Sequence, residues 1–292
     1  AIVPLIVLSS LKPSTHTPHV VDIFDSSSDP VNHNTASMLL RPKNRTRKAL
    51  SFIARRIFEI YAKSPVKPGR EHALMLAAEW ITKHQDMDGS WGPMQPQWIY
   101  SLLALQCLGY NLQHPIMRRG FDAFQEFVVE QSATRKVQPS ITSNWDTSLS
   151  LIGLLENQSE TGNASIIRSI RWLIEKQILQ PGDWRIGAPK TPAGGWALGR
   201  DNVNYPNVDS TAKAITTLSM VKLPGMEDFQ RREAIRRGVR WILGMQGSNG
   251  GWAAFDKDND NIYARGFHIL DVTSPTDSPS VDITAHVIEA LS

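Results

Sequence analysis

The chain is poor in cysteine, in long apolar runs and in strand-like alternation, and each shortage closes off a class of protein. Cys107 is the single cysteine of 292 residues, so no internal disulfide and no zinc site built from several thiolates can form. A reducing, intracellular setting fits that usage. No apolar run reaches the roughly 18 residues that a membrane-spanning helix needs. The opening AIVPLIVL is short, holds a proline and lacks the basic flank of a signal peptide. Alternating segments joined by Asn-Gly turns are scarce, which argues against a sheet protein. Net charge is low as well, at +3, and unevenly spread. Residues 41–70 hold ten Lys or Arg against one acid, Glu59, a local +9 that leaves −6 for the rest. A uniformly basic nucleic-acid binder does not look like this, and no nucleic-acid partner is expected.

What is present is 41% apolar residues, enough for one large core or two ordinary ones, and a repeat. WITKHQDMDGSW (Trp80 to Trp91), WLIEKQILQPGDW (Trp172 to Trp184) and WILGMQGSNGGW (Trp241 to Trp252) share one frame. It reads Trp, four residues, Gln, three or four residues, Gly, one residue, Trp. Six of the nine tryptophans lie in it, so the frame is the organising feature of the chain. Each copy leads into an apolar helical run: YSLLALQCLGY, DSTAKAITTLSM and DITAHVIEAL, with DTSLSLIGLLE of the same form. Three of these begin with an acid, Asp146, Asp209 or Asp282, beside Ser or Thr, which predicts N-caps there. The fold class expected is all-α, helix pairs joined by Gln/Trp-rich turns that stack as a solenoid or close into an α/α barrel. In that reading the indole N–H and the glutamine amide tie one helix end to its neighbour.

Residues 16–47 are rich in Ser, Thr, Asn, Asp and Pro and are expected to be loop or disordered. The following stretch, 47–62, is a basic amphipathic helix, compatible with a membrane interface or with ordinary packing on its own domain. A domain boundary is expected within residues 130–140, giving units 1–131 and 132–292. The chain starts without methionine and stops inside a helical run, so it reads as part of a longer protein. FDKDNDN (Phe255 to Asn261) has three alternate acids but lacks the glycine and glutamate of a calcium loop, and is read as a solvated loop.

Taken in order, SNWDTSLSL, PGDWRIGAPKTPAGGWA, YPNVDSTA, GMQGSNGGWAAFDKDND and DITAHVIEAL resemble the squalene–hopene cyclases, as do AIVPLIVLSSLKP and GSWGPMQPQWIYSLLAL. The resemblance runs nearly end to end, residues 20–40 excepted. It implies parts of two α/α-barrel domains, the first facing a membrane and the second catalytic, with an apolar cavity between them. It also implies monotopic attachment to the cytoplasmic side of a membrane through 47–62, and a squalene-type polyprenoid substrate. No metal or redox cofactor is implied, and a homodimer is compatible with it. The implied reaction protonates a terminal alkene, or an epoxide in the oxidosqualene branch, and the polyene then closes through carbocations.

The family's proton donor is the central acid of an Asp-x-Asp-Asp-Thr-Ala motif, supported by a histidine on a later helix. By position the donor is Asp209, its support is His286, and Asp282 matches an acid four residues before that histidine, on the same helix face. Asn207 and Ser210 stand where the flanking acids are expected, so the motif resembles the single-acid arrangement of oxidosqualene cyclases. Trp145 matches a cavity tryptophan and Phe255 an aromatic position, whereas Leu198 replaces an aromatic. Trp98 and Tyr205 are further candidates for the cavity wall. Core packing is the plain alternative for each of these side chains, and helix capping for Asp209. A smaller cyclase of prenyl diphosphates lacks its basic pocket here, and a zinc prenyltransferase lacks its metal setting. A degenerate cyclase without activity stands as the non-enzymatic alternative.

Overall fold

A computed structural model describes residues 2–13, 56, 60, 61, 64–132, 134–157, 163–199, 202, 204–260 and 276–292. The basic stretch 47–62 and the polar stretch 16–47 lie outside these residues almost entirely. Among those described, nine α-helices carry the structure: α1 (Ile2–Leu11), α2 (Arg70–Lys83), α3 (Gln95–Cys107), α4 (Pro115–Phe124), α5 (Ser143–Glu156), α6 (Ala164–Glu175), α7 (Val208–Ser219), α8 (Gly225–Gly244) and α9 (Val281–Leu291). No helix among them is long and apolar enough to cross a membrane.

Two apolar cores divide these helices. The first gathers Val7, Ile81, Trp98, Leu105 and Met117 from α1 to α4, with Trp91 from the turn after α2 and Phe127 from the turn after α4. The second surrounds α7, whose buried residues run from Val208 to Leu218, and draws on α5, α6, α8 and α9. α7 packs against α5, α8 and α9, which makes it the central element of the second unit.

The glutamine and tryptophan of each turn act as a clamp. In the first, Trp91 donates its indole N–H to Ile81 O at 2.7 Å, and Gln85 Nε2 donates to Gly89 O and Ile116 O at 3.0 and 2.9 Å. Arg119 returns a hydrogen bond to Gln85 Oε1 at 2.9 Å. The second turn repeats this pattern with Gln177 Nε2 on Gly194 O and Ala234 O (2.7 and 2.8 Å) and Arg237 on Gln177 Oε1 (3.0 Å). Its closing indole, however, is Trp196, which donates to Leu173 O at 2.7 Å. Trp184, expected to close the frame, is buried, but its indole nitrogen has no hydrogen-bond partner among the described residues. It packs edge-on to Trp241 instead, centroids 6.0 Å apart. Of the two Gly-x-Trp pairs, Gly182–Trp184 keeps the frame's spacing from Gln177, but only Trp196 reaches the carbonyl four residues before the glutamine. The third turn is regular: Trp252 donates to Ile242 O at 2.8 Å and Gln246 to Gly250 O at 2.9 Å.

The first two clamps are each completed by a glycine on the helix they grip. A Cβ on Gly120 would sit 2.7 Å from the Trp91 ring, and one on Gly238 would sit 2.9 Å from the Trp196 ring. Any larger residue would push the indole off its carbonyl.

The stretch expected as a boundary forms an antiparallel ribbon, β1 (Val128–Gln131) and β2 (Thr134–Val137), with Val128 opposite Val137. β2 is exposed throughout, so the all-α expectation missed a ribbon that has little apolar alternation to reveal it. The chain then returns along the start of α3, where Gln95 N–H donates to Pro139 O at 3.1 Å and Ile141 N–H to Pro93 O at 2.8 Å.

Candidate active site

α7 begins where Asn207, with extended backbone, accepts the Ser210 N–H on Oδ1 at 2.8 Å. Asn207 is therefore the N-cap, and its Nδ2 donates to Ala254 O at 3.2 Å, which also receives Val208 N–H at 2.8 Å. Asp209, expected as a cap, lies two residues further on, in the first turn. The same correction holds for the other two acids. α5 starts at Thr142, whose hydroxyl donates to Asp146 Oδ2 at 2.9 Å, and α9 starts at Ser280, two residues before Asp282. First-turn acids complement the positive helix end without capping it.

Freed from capping, the Asp209 carboxyl meets the imidazole of His286 on α9, with Oδ1 and Nδ1 2.6 Å apart. Both side chains are partly exposed, at 22% and 35%. One turn along the same pair of helices, Lys213 Nζ lies 2.8 Å from Glu289 Oε2, a second rung that fixes the register of α7 against α9. The Glu289 carboxyl is held below its ordinary range by the hydrogen bond from Lys213, by the ammonium charge and, more weakly, by His286. Asp282, exposed at the mouth of α9, is lowered by the Ser280 hydroxyl and the Ile283 amide, with His286 contributing least.

The Trp145 ring on α5 lies 6.5 Å from the His286 ring, so α5, α7 and α9 together present an indole, a carboxyl and an imidazole. Leu198 meets this group through its backbone, its carbonyl receiving the Asn144 and Trp145 amides at 3.1 and 3.4 Å. Phe255 follows the Ala254 carbonyl that receives the Val208 amide. Ser210 points into the core: its hydroxyl is buried with no hydrogen-bond partner among the described residues. With Asn207 spent on the cap, Asp209 has no second carboxyl within the motif. Trp98 belongs to the first core, its indole N–H on Gly120 O at 3.1 Å and its ring edge-on to Phe127. Tyr205 is half-buried and donates its hydroxyl to Asp183 Oδ2 at 2.7 Å.

Three supporting residues escaped sequence reasoning. Asp277 grips the Phe255 loop, accepting the amides of Phe255, Asp256 and Ala254 at 2.6, 2.9 and 3.4 Å. Thr211 receives Trp196 N–H on its hydroxyl at 2.8 Å and donates to Asn207 O at 2.7 Å, and its place in DSTA was the available signal. Asn144 donates to Ala197 O and Gly199 O at 3.0 and 2.8 Å, tying α5 to the loop that closes the second clamp.

These features define a helical-repeat protein with Gln/Trp clamps and a carboxyl–imidazole pair between two central helices. The chain belongs to the squalene–hopene cyclase family: residues 1–133 match the squalene-hopene cyclase N-terminal domain and residues 141–292 the C-terminal domain. It is 39% identical to a squalene–hopene cyclase of Alicyclobacillus acidocaldarius over 230 residues, 78% of this chain and 36% of that protein. A squalene–hopene cyclase of Bradyrhizobium diazoefficiens is 30% identical over 301 residues, covering 99% of this chain and 44% of that protein. A dammaradiene synthase of Dryopteris crassirhizoma is 32% identical over 234 residues, 80% of this chain and 34% of its own. The chain thus spans well under half the length of these relatives.

Proposed function

We propose that this chain is the acid-bearing part of a triterpene cyclase, in which Asp209 protonates a squalene-type polyprenoid and starts a cationic cyclisation. The observation that carries the reading is the 2.6 Å contact between Asp209 and His286. An alkene is a feeble base, so its proton donor needs a conjugate base that is stabilised as the proton leaves. His286 does this when it donates Nδ1–H to Oδ1, leaving the second carboxyl oxygen to deliver its proton to the terminal alkene carbon. The π pair forms the new C–H bond, and the adjacent tertiary cation is attacked by the next double bond. Trp145, whose ring lies near that of His286, and Phe255, next to the Ala254 carbonyl that receives the Val208 amide, are the aromatic side chains assigned to the cations; such faces stabilise cations without adding to them as lone pairs do. Asp282 keeps negative charge on the helix face of His286.

Family membership supports a wider architecture, in which the helix pairs form parts of two α/α barrels, a membrane-facing one with residues 1–131 and a catalytic one with 132–292. Residues 47–62 lie on the cytoplasmic side of a membrane from which the apolar substrate enters.

The test is turnover by the full-length protein in membranes, offered squalene and, in a second arm, 2,3-oxidosqualene. Asp209→Asn is expected to lower cyclic product by about 10³-fold or more, the scale of losing an essential proton donor. Undiminished product from that variant would overturn the assignment, and product from oxidosqualene alone would move the substrate to an epoxide.

A further inference from the structure

The second turn is thirteen residues longer than the first between its glutamine and its glycine, and the extra length carries Asp183. Asp183 lies between residues of both units. His84, just after α2, sits with Nε2 2.9 Å from Asp183 Oδ2, and Tyr205 donates its hydroxyl to that oxygen at 2.7 Å. The His84 ring is fixed from two more sides. It stacks on Trp80 with centroids 3.9 Å apart and planes 19° from parallel, and Nδ1 lies 2.7 Å from Trp80 O. The loop is also pressed onto the segment before α7: a Cβ on Gly182 would come within 2.6 Å of Asn204 O.

A main-chain carbonyl only accepts, so Nδ1 of His84 carries a hydrogen and donates to Trp80 O. Asp183 comes from the long loop of the second turn and Tyr205 from the segment before α7, so one carboxyl oxygen gathers a residue of the first unit and one of the second.

We propose that His84 is a positioning residue: its stacked imidazole clasps Asp183, which holds the Tyr205 hydroxyl, and so sets the segment 204–207 that delivers Asp209 to its place. The connection is short in sequence, since Tyr205 precedes the capping Asn207 by two residues and Asp209 by four. The clasp joins the turn of the first unit to the acid-bearing helix of the second. His84 neither touches the Asp209–His286 pair nor belongs to the proposed chemistry; the turnover arm of the test below rests on that functional reading, and the other arms do not.

The test uses the full-length protein with three variants. His84→Phe keeps the stacking and removes both ring nitrogens, and is expected to speed hydrogen exchange at the amides of Val208, Ser210 and Thr211 about tenfold. Asp183→Asn is expected to do the same, and guards against a folding defect peculiar to the first variant. His84→Arg supplies donors that can reach the Asp183 carboxyl and is expected to recover protection. Unchanged exchange in both His84→Phe and Asp183→Asn would overturn the clasp. In turnover, His84→Phe is expected to lower kcat about tenfold with KM unchanged, within the range for sub-ångström displacement of a reacting group, and His84→Arg to recover it. If the wild type turns over neither substrate while the exchange results hold, the clasp stands and the functional reading fails.

Discussion

The first and second Gln/Trp turns bind the same partners in the same places, yet one spans four residues from glutamine to glycine and the other seventeen. In both, the glutamine amide bridges its own turn to the next helix but one, an arginine on that helix returns a bond, and an indole reaches the carbonyl four residues before the glutamine. Clamp geometry is therefore set by its anchor points and is indifferent to the length of chain between them. Loop closure permits this, because each doubling of a flexible loop costs only about 0.6 kcal/mol. The longer turn uses its freedom to place Asp183 against the other unit, which the short turn cannot do.

The comparison can be broken at the indoles. Trp196→Ala is expected to destabilise the second unit by about 3–5 kcal/mol, the cost of an emptied indole site, read as a shift in denaturant midpoint. If Trp184 were the true closing residue, Trp196→Phe would be mild and Trp184→Phe severe. The reverse is expected, because only Trp196 leaves a buried carbonyl unpaired, at about 1–3 kcal/mol. It can be sharpened at the glutamines. Gln177→Leu strands two carbonyls and an arginine and is expected to cost about 3 kcal/mol, whereas Gln246→Leu, with one exposed bond, costs about 0.5–1 kcal/mol.

The smallest effect concerns α8, which carries the arginine of the second clamp. The Asp228 carboxyl is held below its ordinary range by Arg231, which it meets at 2.8 Å, then by the Leu223 amide. Its lowered value means that the pair stabilises the fold above the ordinary carboxylate range, near pH 4, and loses that contribution as pH falls through the folded value. Melting temperature is expected to drop with acid in the wild type and to drop less steeply in Asp228→Asn. Equal slopes in the two proteins would remove Asp228 from the acid response.

Much of this organisation was legible in the sequence, and its failures have physical causes. The repeated frame announced helix pairs because a large indole at a fixed distance from glycine has few structural uses. It misidentified one tryptophan because the pair at the expected spacing, Gly182–Trp184, is not the one whose indole finds the carbonyl; the pair that does, Gly194–Trp196, lies beyond a long loop. Capping was assigned to Asp209, Asp146 and Asp282 on residue type, but the cap is decided by the backbone of the residue that leaves the helix, here Asn207, Thr142 and Ser280. Asp209 and His286 were paired through family position, and the geometry places them in contact. Trp98, a candidate for a cavity wall with core packing as the alternative, packs in the first core, and a buried indole pattern serves either purpose. The His84–Asp183 contact joins residues 99 apart and leaves no local trace.

The main chain of Trp196 brackets the start of α7: its carbonyl receives Asn207 N–H at 2.8 Å and its own N–H meets the Thr211 hydroxyl. Scaffold and acid are in that sense one piece. A carboxyl mounted this way needs little reorganisation at the moment of proton transfer, which is where preorganised sites gain their advantage. It also has no private way to loosen. On heating, its rate should climb steadily and then collapse together with the second unit, with no earlier decline in activity to mark the acid drifting from its aim.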